Sequence, residues 1–362
     1  MFTADLPVVD CSGSPRERGR AHGEALRAVI ADKILLWHQA IGEAYGVRAA
    51  MFLPRFLAET DFRAAIARHT PDLLDEVAGI AEGAGLDNDT AYALQLMDEE
   101  WWFGRSLGDG HCSSLAISPS SDQPTFVAQT MDLPRWHDGA QALLRLTGSD
   151  GSQTLVLTSA GMIGLTGLSG RGLGLCVNTL SQLATSRKGL PVAFAMRGAL
   201  ARADAAQAAA FLRSVNHASG QNYQIGDRHG IDTLECSAAG AVTVAFEAGR
   251  SLHTNHPLAS RDARDAEVSM QGSDNSRARL DSLRQDLAPS RRQSVDADAV
   301  RTALSACRPG GEVSIEIEPG SALTASVTFG ALVSEIGENI TLSVCAGAPS
   351  AESWREIALA SA

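Results

Sequence analysis

The chain has 362 residues, of which 44% are hydrophobic and 20% are charged, a composition typical of a globular protein with a sizeable core. Its net charge of −12, from 42 acidic and 30 basic residues, disfavours nucleic acids and anionic membranes as partners. No apolar run approaches the ~18 residues of a membrane-spanning helix, and residues 1–7 lack the basic and apolar regions of a signal peptide.

Residues 1–110 are predicted to be mainly helical. Apolar side chains recur at helical spacing from about residue 22 to 44, and again from 61 to 83 with an interruption at Pro71. Asp89 and Thr90 predict the start of a third helix, which ends in the acidic and aromatic cluster 98–102. That cluster fits either a packed helix end or a wall of a substrate pocket.

The periodicity changes to that of strands at Cys112. Helices are predicted over residues 190–215 and 274–287, strands return between 313 and 346, and the polar stretches 261–274 and 289–298 are predicted to be surface loops. Strands followed by helices and further strands indicate a layered α+β core. The short strand candidates after Cys112 are 112–118, 124–131, 153–159, 172–179, 222–226, 231–236 and 241–247.

Cys112 lies where a polar lead-in becomes a predicted strand. By residue type alone, such a cysteine is more often a buried structural residue than a nucleophile. However, the next predicted strand ends on Asp132, and an antiparallel hairpin would return that carboxylate to the cysteine. Asn255 closes a later strand-like run. A thiol, a carboxylate and an amide at strand ends are the components of a covalent amide-bond catalyst.

Five short motifs carry a family resemblance, and they occur in family order between about residues 12 and 330. Residues 110–114, Gly-His-Cys-Ser-Ser, resemble the Gly-Cys-Thr-Ser cleavage site of the isopenicillin N acyltransferase family, within the N-terminal nucleophile hydrolases. Residues 129–132, Gln-Thr-Met-Asp, resemble the Gln-Asn-Trp-Asp of that family and the Arg-Asn-Met-Asp of choloylglycine hydrolases. Residues 253–256 are similar to its His-Thr-Asn-His, 13–23 to its opening motif, and 276–280 to its Ser-x-x-Arg. Together the motifs are specific for the family but not for a substrate.

The resemblance implies an α+β fold, a four-layer αββα sandwich with a mainly helical N-terminal segment. It also implies that the chain cuts itself between His111 and Cys112. Residues 1–111 would then be a pro-segment retained as a separate chain, and residues 112–362 the catalytic chain. The family often has a small residue where this sequence has His111, which would either slow the cleavage or assist it as a proton carrier. The freed α-amino group of Cys112, with a pKa near 8, would be the base.

The resemblance also implies roles for other residues. Asp132 would hold the α-ammonium group, while Asn255 and, by similarity to choloylglycine hydrolases, Asn178 would bind the oxyanion. For Asn178 a purely structural role is as well supported. Further candidates near the substrate are His256, Ser326, Arg279, Gln129, Trp101 and Trp102, and Met131 and Trp136 are further candidates for the pocket wall.

No metal or cofactor is expected. His253 and His256 have no acidic or cysteine ligand near them in the sequence, and His256 more simply orients Asn255. The glycines between 161 and 174 lack the Gly-Lys-Ser/Thr of a phosphate loop. Six scattered cysteines without a CxxC pair favour reduced thiols and a cytoplasmic location.

The sequence thus predicts a self-processing cysteine amidohydrolase or acyltransferase that forms an acyl-thioester on Cys112. Its partners would be a small-molecule amide or acyl donor, its own cleaved N-terminal fragment and possible further copies of the chain in a homo-oligomer. An apolar or aromatic acyl portion is favoured by the aromatic residues near the motifs. Two alternatives stay open. One is a papain-like cysteine peptidase, in which the cysteine would begin a helix, and the other is an inactive, unprocessed binding or scaffold protein.

Overall fold

The segment before Cys112 is mainly helical, as predicted, but it begins with a strand. The computed structural model describes residues 6–105, 112–262, 273–288 and 294–359. Strand β1 was not predicted because a five-residue strand gives too short a periodic signal. The elements of this segment are β1 (Val8–Ser12), α1 (Pro15–Ala25), α2 (Arg27–Tyr45), α3 (Ala49–Ala58), α4 (Phe62–His69), α5 (Pro71–Ala84), α6 (Asn88–Ala93) and α7 (Met97–Gly104).

Local signals determine where several of these helices begin. Ser14 caps α1 through reciprocal hydrogen bonds with Glu17, and Pro15 occupies the first turn. The predicted break at Pro71 is confirmed, since α4 and α5 meet there. The predicted third helix had the wrong boundaries. Asp87 caps α6, and the acidic and aromatic cluster 98–102 lies in the separate helix α7.

From Cys112 onward the described residues contribute strands to two large sheets, form one two-stranded sheet and add four helices. The predicted helix 190–215 is split in two. The helix Ala297–Leu304 was not predicted, nor were the strands Gln141–Thr147, Thr166–Ser169 and Arg355–Ala358. A 3₁₀ turn, Arg135–His137, follows β3. The strands are β2 (Ser113–Ile117), β3 (Thr125–Pro134), β4 (Gln141–Thr147), β5 (Gln153–Ser159), β6 (Thr166–Ser169), β7 (Leu173–Thr179), β8 (Gln221–Asp227), β9 (Gly230–Ser237), β10 (Gly240–Thr243), β11 (Arg250–His253), β12 (Cys307–Arg308), β13 (Gly311–Glu312), β14 (Ser326–Ile336), β15 (Ile340–Ala346) and β16 (Arg355–Ala358). The helices are α8 (Val192–Leu200), α9 (Ala205–Ser214), α10 (Ser273–Leu287) and α11 (Ala297–Leu304).

The two large sheets face each other across an apolar layer. One sheet has eight strands in the order β1-β4-β5-β6-β7-β8-β9-β10, and the other has six in the order β11-β2-β3-β14-β15-β16. Strand β1 pairs in parallel with β4, and the other neighbours within these sheets are antiparallel. Buried side chains from both sheets, among them Val127, Leu155 and Leu332, fill the space between them. Apolar burial of this kind is the main favourable term in folding.

Helices cover the outer face of each sheet, which confirms the predicted four-layer αββα arrangement. Helices α10 and α11 pack their apolar residues, such as Leu283 and Val300, against the six-stranded sheet. The N-terminal helices, α8 and α9 share one core with the eight-stranded sheet. In the described part of the chain, no helix has the length and apolar character needed to cross a membrane.

Helices α1 and α5 cross so closely that their backbones touch. A methyl group at Gly79 of α5 would lie 2.1 Å from the carbonyl oxygen of Arg16 in α1. A methyl group at Gly19 would lie 1.9 Å from the carbonyl oxygen of Glu76. Glycine is therefore required at this crossing, because any Cβ atom would force the helices apart.

The six cysteines are unpaired in the structure. Five of them, including Cys112, are buried, and Cys307 is exposed. Buried cysteines of this kind behave as small hydrophobic residues unless a neighbouring group activates the thiol.

Candidate active site

Cys112 and Asp132 lie side by side because β2 and β3 form an antiparallel hairpin. Ser113 pairs with Thr130, so the residue before β2 meets the last part of β3. The backbone N–H of Asp132 donates to the Sγ atom of Cys112 at 3.4 Å, and its carbonyl oxygen lies 3.7 Å from that sulfur. Both residues are buried. The hairpin expected from the sequence therefore brings these two residues together.

One oxygen of the Asp132 carboxylate is held in place and the other is not. Its Oδ1 atom accepts a hydrogen bond from Thr328 Oγ1 at 2.6 Å, because Thr328 on β14 stands opposite Asp132 in the sheet. Its Oδ2 atom is buried and has no hydrogen-bond partner within the described ranges. Burial raises the pKa of Asp132 to about 7, although the hydrogen bond from Thr328 and the charge of Arg279 oppose this. The second oxygen is therefore available to a new donor.

The Cys112 thiol is protonated at neutral pH in this form of the chain. Burial and then the nearby Asp132 carboxylate raise its pKa to about 12, despite the N–H of Asp132 and the charge of Arg279, which act the other way. Only a thiolate is an effective nucleophile. An added positive charge or base beside the sulfur is therefore needed before this cysteine can attack an amide.

Arg279 ties Asn255 to the start of β2. Its Nη2 atom donates to Asn255 Oδ1 at 3.1 Å, while its Nη1 atom donates to the carbonyl oxygen of Cys112 at 2.7 Å and to Ser113 Oγ at 3.0 Å. The Asn255 Nδ2 group donates to the carbonyl oxygen of Thr179 at 3.0 Å. The amide nitrogen carries a second hydrogen, which can serve as an oxyanion donor.

His256 reaches Asn255 through a serine. The backbone N–H of Asn255 donates to Ser276 Oγ at 2.9 Å, and the Nδ1 atom of His256 lies 2.7 Å from the same oxygen. Burial lowers the pKa of His256 to about 4, so the ring is neutral. This geometry agrees with an orienting role for His256.

His253, the other histidine of the motif, has a different partner. His253 Nε2 lies 2.9 Å from Glu235 Oε1, and both side chains are buried. Within the ranges that the structure describes, no group of three or more His, Cys, Asp or Glu side chains could hold a metal ion.

A small cavity of about 30 Å³ lies against Cys112 and Asp132. Most of its wall is apolar, and Trp101 of α7 forms part of it, as the pocket-wall interpretation of the cluster expects. The apolar wall includes four methionines, Met97, Met131, Met162 and Met196. The polar members of the wall are Gln95, Asp98, Asp132, Thr179 and Gln221.

Asn178 does not line this cavity. The alternation of β7 directs Val177 and Thr179 to the cavity, and Asn178 therefore faces the opposite side of the strand. Its Oδ1 atom accepts hydrogen bonds from Ser114 Oγ and from Asn222 Nδ2. The side chain of Asn178 thus links the two sheets, and the expectation that this amide binds an oxyanion is not supported by its position.

Gln129 also has a position different from the one expected. Its Nε2 group donates to the carbonyl oxygen of Val177 at 2.5 Å, and its Oε1 atom accepts from the Val177 N–H at 3.1 Å. Both ends of the amide are thus occupied by the backbone of β7. Gln129 is a bridge between the sheets, and a contact with substrate would break that bridge.

Three further candidates lie away from the cavity. Ser326 opens β14 opposite Pro134, and its hydroxyl group is buried without a partner in the described part of the chain. Trp102 packs against Phe103, and Trp136 stacks on Trp37. Neither Trp102 nor Trp136 is among the described residues that line this cavity. His111, the expected residue before the cleavage point, lies outside the described residues.

Sequence reasoning did not identify several residues around the site. Thr328 and Ser276 hold Asp132 and Asn255, but both are small hydroxyl residues whose contacts depend on long-range pairing. The sequence places Asp98 in an acidic cluster without indicating a specific role, and Gln221 belongs to no motif. Nothing in the local sequence indicates that these two side chains meet.

Comparison with known proteins supports the family resemblance. Residues 125–304 match the family model described as acyl-coenzyme A:6-aminopenicillanic acid acyl-transferase, a range that includes Asp132, Asn255 and Arg279 but not Cys112. The 40 kDa form of the acyl-coenzyme A:6-aminopenicillanic-acid-acyltransferase of Emericella nidulans is 27% identical over 256 residues, which are 69% of each chain. A solved structure of penicillin V acylase from Agrobacterium tumefaciens is 12% identical, with a TM-score of 0.38 over 68% of this chain and 85% of that one. The overlap of the two structures is too small to support a conclusion about fold or activity. The predicted relationship to isopenicillin N acyltransferases is confirmed by the family match.

Proposed function

We propose that this chain, a relative of the acyl-coenzyme A:6-aminopenicillanic acid acyl-transferase family through residues 125–304, is a self-processing enzyme whose nucleophile is Cys112. The family relationship makes the chain an acyltransferase- or acylase-type enzyme. The observation that carries the finer proposal is the Asp132 carboxylate, whose Oδ2 atom is buried beside Cys112 without a partner in the described ranges. An α-ammonium group released at Cys112 would supply the missing donor and charge.

The first step in this proposal is self-cleavage. The Cys112 thiol attacks the carbonyl carbon of residue 111, the peptide C–N bond breaks, and the nitrogen of Cys112 takes up a proton as a thioester forms. Water then hydrolyses the thioester, which gives a carboxylate on residue 111 and a free thiol and α-amino group on Cys112. The domain boundary would accordingly fall between residues 111 and 112.

The second step uses the new N-terminus on a substrate amide. The α-amino group takes the thiol proton, the thiolate attacks the substrate carbonyl, and Asn255 Nδ2 donates to the oxyanion. Collapse of this intermediate breaks the C–N bond, and the departing amine takes the proton from the α-ammonium group. The acyl group is left on Cys112 as a thioester, and water or an amine then removes it.

The arrangement of the N-terminal segment supports its retention after cleavage. Strand β1 pairs with β4 in the eight-stranded sheet, and helices before Cys112 share the core of that sheet. A cut before β2 would break one covalent bond but none of these contacts. The cleaved fragment is therefore expected to stay bound as the partner of the catalytic chain.

The substrate in this proposal is a small acylated amine. The cavity at Cys112 has room for a group of only a few heavy atoms beside the sulfur, and its wall is mostly apolar. The names of the family model and of the fungal relative refer to acyl-coenzyme A, which carries an acyl group, and to 6-aminopenicillanic acid, which accepts one. Folded proteins and nucleic acids do not match a cavity of this size.

Intact mass spectrometry of the purified protein tests the proposal. The wild-type protein should give two masses that correspond to a cut before Cys112, and the two chains should co-elute in size-exclusion chromatography. Cys112→Ala should give one mass, whereas Cys176→Ala, a matched buried cysteine on β7, should still be cut. A single mass for the wild type, or cleavage of Cys112→Ala, would contradict self-processing by Cys112.

The same measurements separate the rival functions. A papain-like peptidase would have its cysteine at a helix start with a histidine beside it. Here Cys112 precedes strand β2, and no histidine in the described ranges is hydrogen-bonded to its sulfur. An inactive binding or scaffold relative would stay uncut and would release no amine from N-acyl amino acids, penicillins or aryl amides. Thiol-dependent amine release, with the acyl group trapped on the fragment that begins at Cys112, would reject that alternative.

A further inference from the structure

Asp98 is a buried carboxylate in the wall of the cavity at Cys112. It is 5% exposed, and it shares the cavity with Trp101 and Cys112. Within the described ranges its interactions come from neutral donors, with no ion pair from Lys, Arg or His. Burial raises the pKa of the Asp98 carboxyl group, against the hydrogen bonds from Thr179 and Gln221, because the charged form is costly to bury without a cation. Such a group beside a nucleophile therefore indicates a donor that arrives with a ligand.

The hydrogen bonds of Asp98 use one of its two oxygens. Its Oδ2 atom accepts from Thr179 Oγ1 at 2.8 Å and from Gln221 Nε2. These bonds fix the carboxylate at the cavity and leave the Oδ1 atom without a hydrogen bond in the part of the chain described. Thr179 also contacts Asn255. Its side chain donates to Asp98, and its backbone carbonyl oxygen accepts from Asn255 Nδ2.

Gln221 provides a second, independent acceptor. This side chain is 1% exposed and also lines the cavity. Its Nε2 group is fully used, by Asp98 and by Ser219 Oγ at 3.1 Å. Its Oε1 atom is buried with no partner among the described residues. Two acceptors and no spare donor thus stand in one part of a mostly apolar cavity.

The rest of the wall limits what can reach these acceptors. Four methionines form an apolar and adaptable surface, and the free volume is about 30 Å³. A short alkyl chain fits this surface, whereas a large ring system would require the methionines to move. The complementary ligand is therefore a short aliphatic chain that ends in an N–H donor.

We propose, on the basis of the proposed function, that the acyl group of the substrate is short, aliphatic and carries a primary amino group that is bound by Asp98 and Gln221. The amino group would donate to Asp98 Oδ1 and to Gln221 Oε1, and the alkyl chain would lie against the methionines. The acyl portion is the part assigned to this cavity because it stays on Cys112 while the amine product leaves. Binding by fixed, buried partners suits the portion that stays.

A pair of chromogenic amides that differ in one group tests the inference. The 4-nitroanilides of 3-aminopropanoic acid and of butanoic acid have the same length, with an amino group in one where the other has a methyl group. For the wild-type enzyme, kcat/KM should be at least about tenfold higher for the aminoacyl compound, because a site built for an N–H donor rejects an apolar isostere. Asp98→Asn presents an amide donor at the same place and should reduce this preference to less than about threefold. The loss of preference should appear as a fall in kcat/KM for the aminoacyl compound relative to kcat/KM for the butanoyl compound of the same variant.

Glu100→Gln is the matched control. Glu100 lies on the same helix α7 and is as buried as Asp98, but it accepts from Trp37 Nε1 and from the Tyr45 hydroxyl group and does not line the cavity. This variant should keep the full preference for the aminoacyl compound. A wild-type preference for the butanoyl compound, or an Asp98→Asn variant with the full aminoacyl preference, would overturn the inference.

A binding measurement covers the case in which neither anilide is cleaved. The amide of 3-aminopropanoic acid should raise the unfolding temperature of the wild type and of Glu100→Gln but not of Asp98→Asn, and butanamide should have no such effect. An uncut protein that shows Asp98-dependent amine binding would reject the proposed function and keep the amine site. A cut, active protein without the amine preference would reject the amine site alone, and equal shifts with both amides would also reject it.

Discussion

Arg279 fixes the orientation of the Asn255 amide, since its Nη2 atom donates to Asn255 Oδ1 at 3.1 Å. The amide oxygen must face the guanidinium group, so the NH₂ group is turned toward the carbonyl oxygen of Thr179. The same guanidinium group holds the carbonyl oxygen of Cys112. One buried cation thus sets the relative position of the proposed oxyanion donor and the proposed nucleophile.

Asn255→Ala should lower kcat by about 10²-fold or more, because a preorganised oxyanion donor is typically worth about 3 kcal/mol in the transition state. The loss should be measured under single-turnover conditions with an aryl amide substrate, and the unfolding temperature should change little. Asn216→Ala, at an exposed position, is the control and should behave like the wild type. A near-normal kcat for Asn255→Ala would mean that this amide does not contact the oxyanion.

Arg279→Lys should lower kcat by about tenfold or more while KM changes little. Lysine keeps the charge but lacks the planar fork that reaches Cys112, Ser113 and Asn255 together. Arg277→Lys is a matched control on the same helix, since Arg277 is exposed and pairs weakly with Asp274. Steady-state kinetics of both variants check the prediction, and equal effects of the two substitutions would contradict it.

The stability of the uncut protein should depend on pH through Asp132. Burial raises the pKa of this carboxyl group from 3.8 to about 7, so the folded state binds a proton that the unfolded state releases. The stabilisation is complete below about pH 4 and is lost as the pH rises toward 7, at up to about 1.4 kcal/mol per pH unit. Urea unfolding of Cys112→Ala from pH 4.5 to 8 should show this loss.

The matched variant for this measurement is Cys112→Ala with Asp132→Asn. The neutral amide cannot titrate, so the pH dependence of the double variant should be flatter over the same range. The other buried carboxyl groups contribute equally to both proteins and cancel in the comparison. Identical pH profiles would show that Asp132 ionises normally in the folded protein.

The crossing of α1 and α5 should tolerate no side chain at Gly79. Gly79→Ala would force a methyl group to within 2.1 Å of the Arg16 carbonyl oxygen, and it should destabilise the protein by roughly 2–3 kcal/mol. Gly42→Ala, in α2, meets nothing within 4 Å and should stabilise the protein by about 0.5–1 kcal/mol. Denaturant unfolding in the Cys112→Ala background measures both, and the same sign for the two changes would contradict this packing argument.

Contacts in the site between residues that are close in sequence could be predicted, whereas contacts between distant residues could not. Cys112 and Asp132 belong to one hairpin, so strand periodicity and a turn were enough to bring them together. Thr328 reaches Asp132 through a strand pairing that is distant in sequence and contains an irregularity between Thr328 and Gly330. No local pattern specifies such a register, and the threonine was therefore missed.

Two amides, Asn178 and Gln129, lie away from the cavity for a different physical reason. Asn178 lies in a strand that was predicted correctly, but in a strand every second side chain faces the other way. Without knowledge of which face meets the site, the sequence could not distinguish Asn178 from its neighbour Thr179. Gln129 shares this ambiguity. The sequence places it in the motif, but its contact with the backbone of β7 depends on how the two sheets pack together.

The pairing of β1 with β4 has a consequence for how a cut molecule can be made and remade. Before cleavage, both strands belong to one polypeptide, so the sheet closes by an intramolecular search whose rate is independent of protein concentration. In a chain cut as proposed, the same strands would belong to different chains, and denatured fragments would have to meet by diffusion before the sheet could form. Recovery from denaturant should then fall on dilution for the cut protein but not for Cys112→Ala. The cut enzyme would then depend on having folded before cleavage, because its separated chains would reassemble poorly.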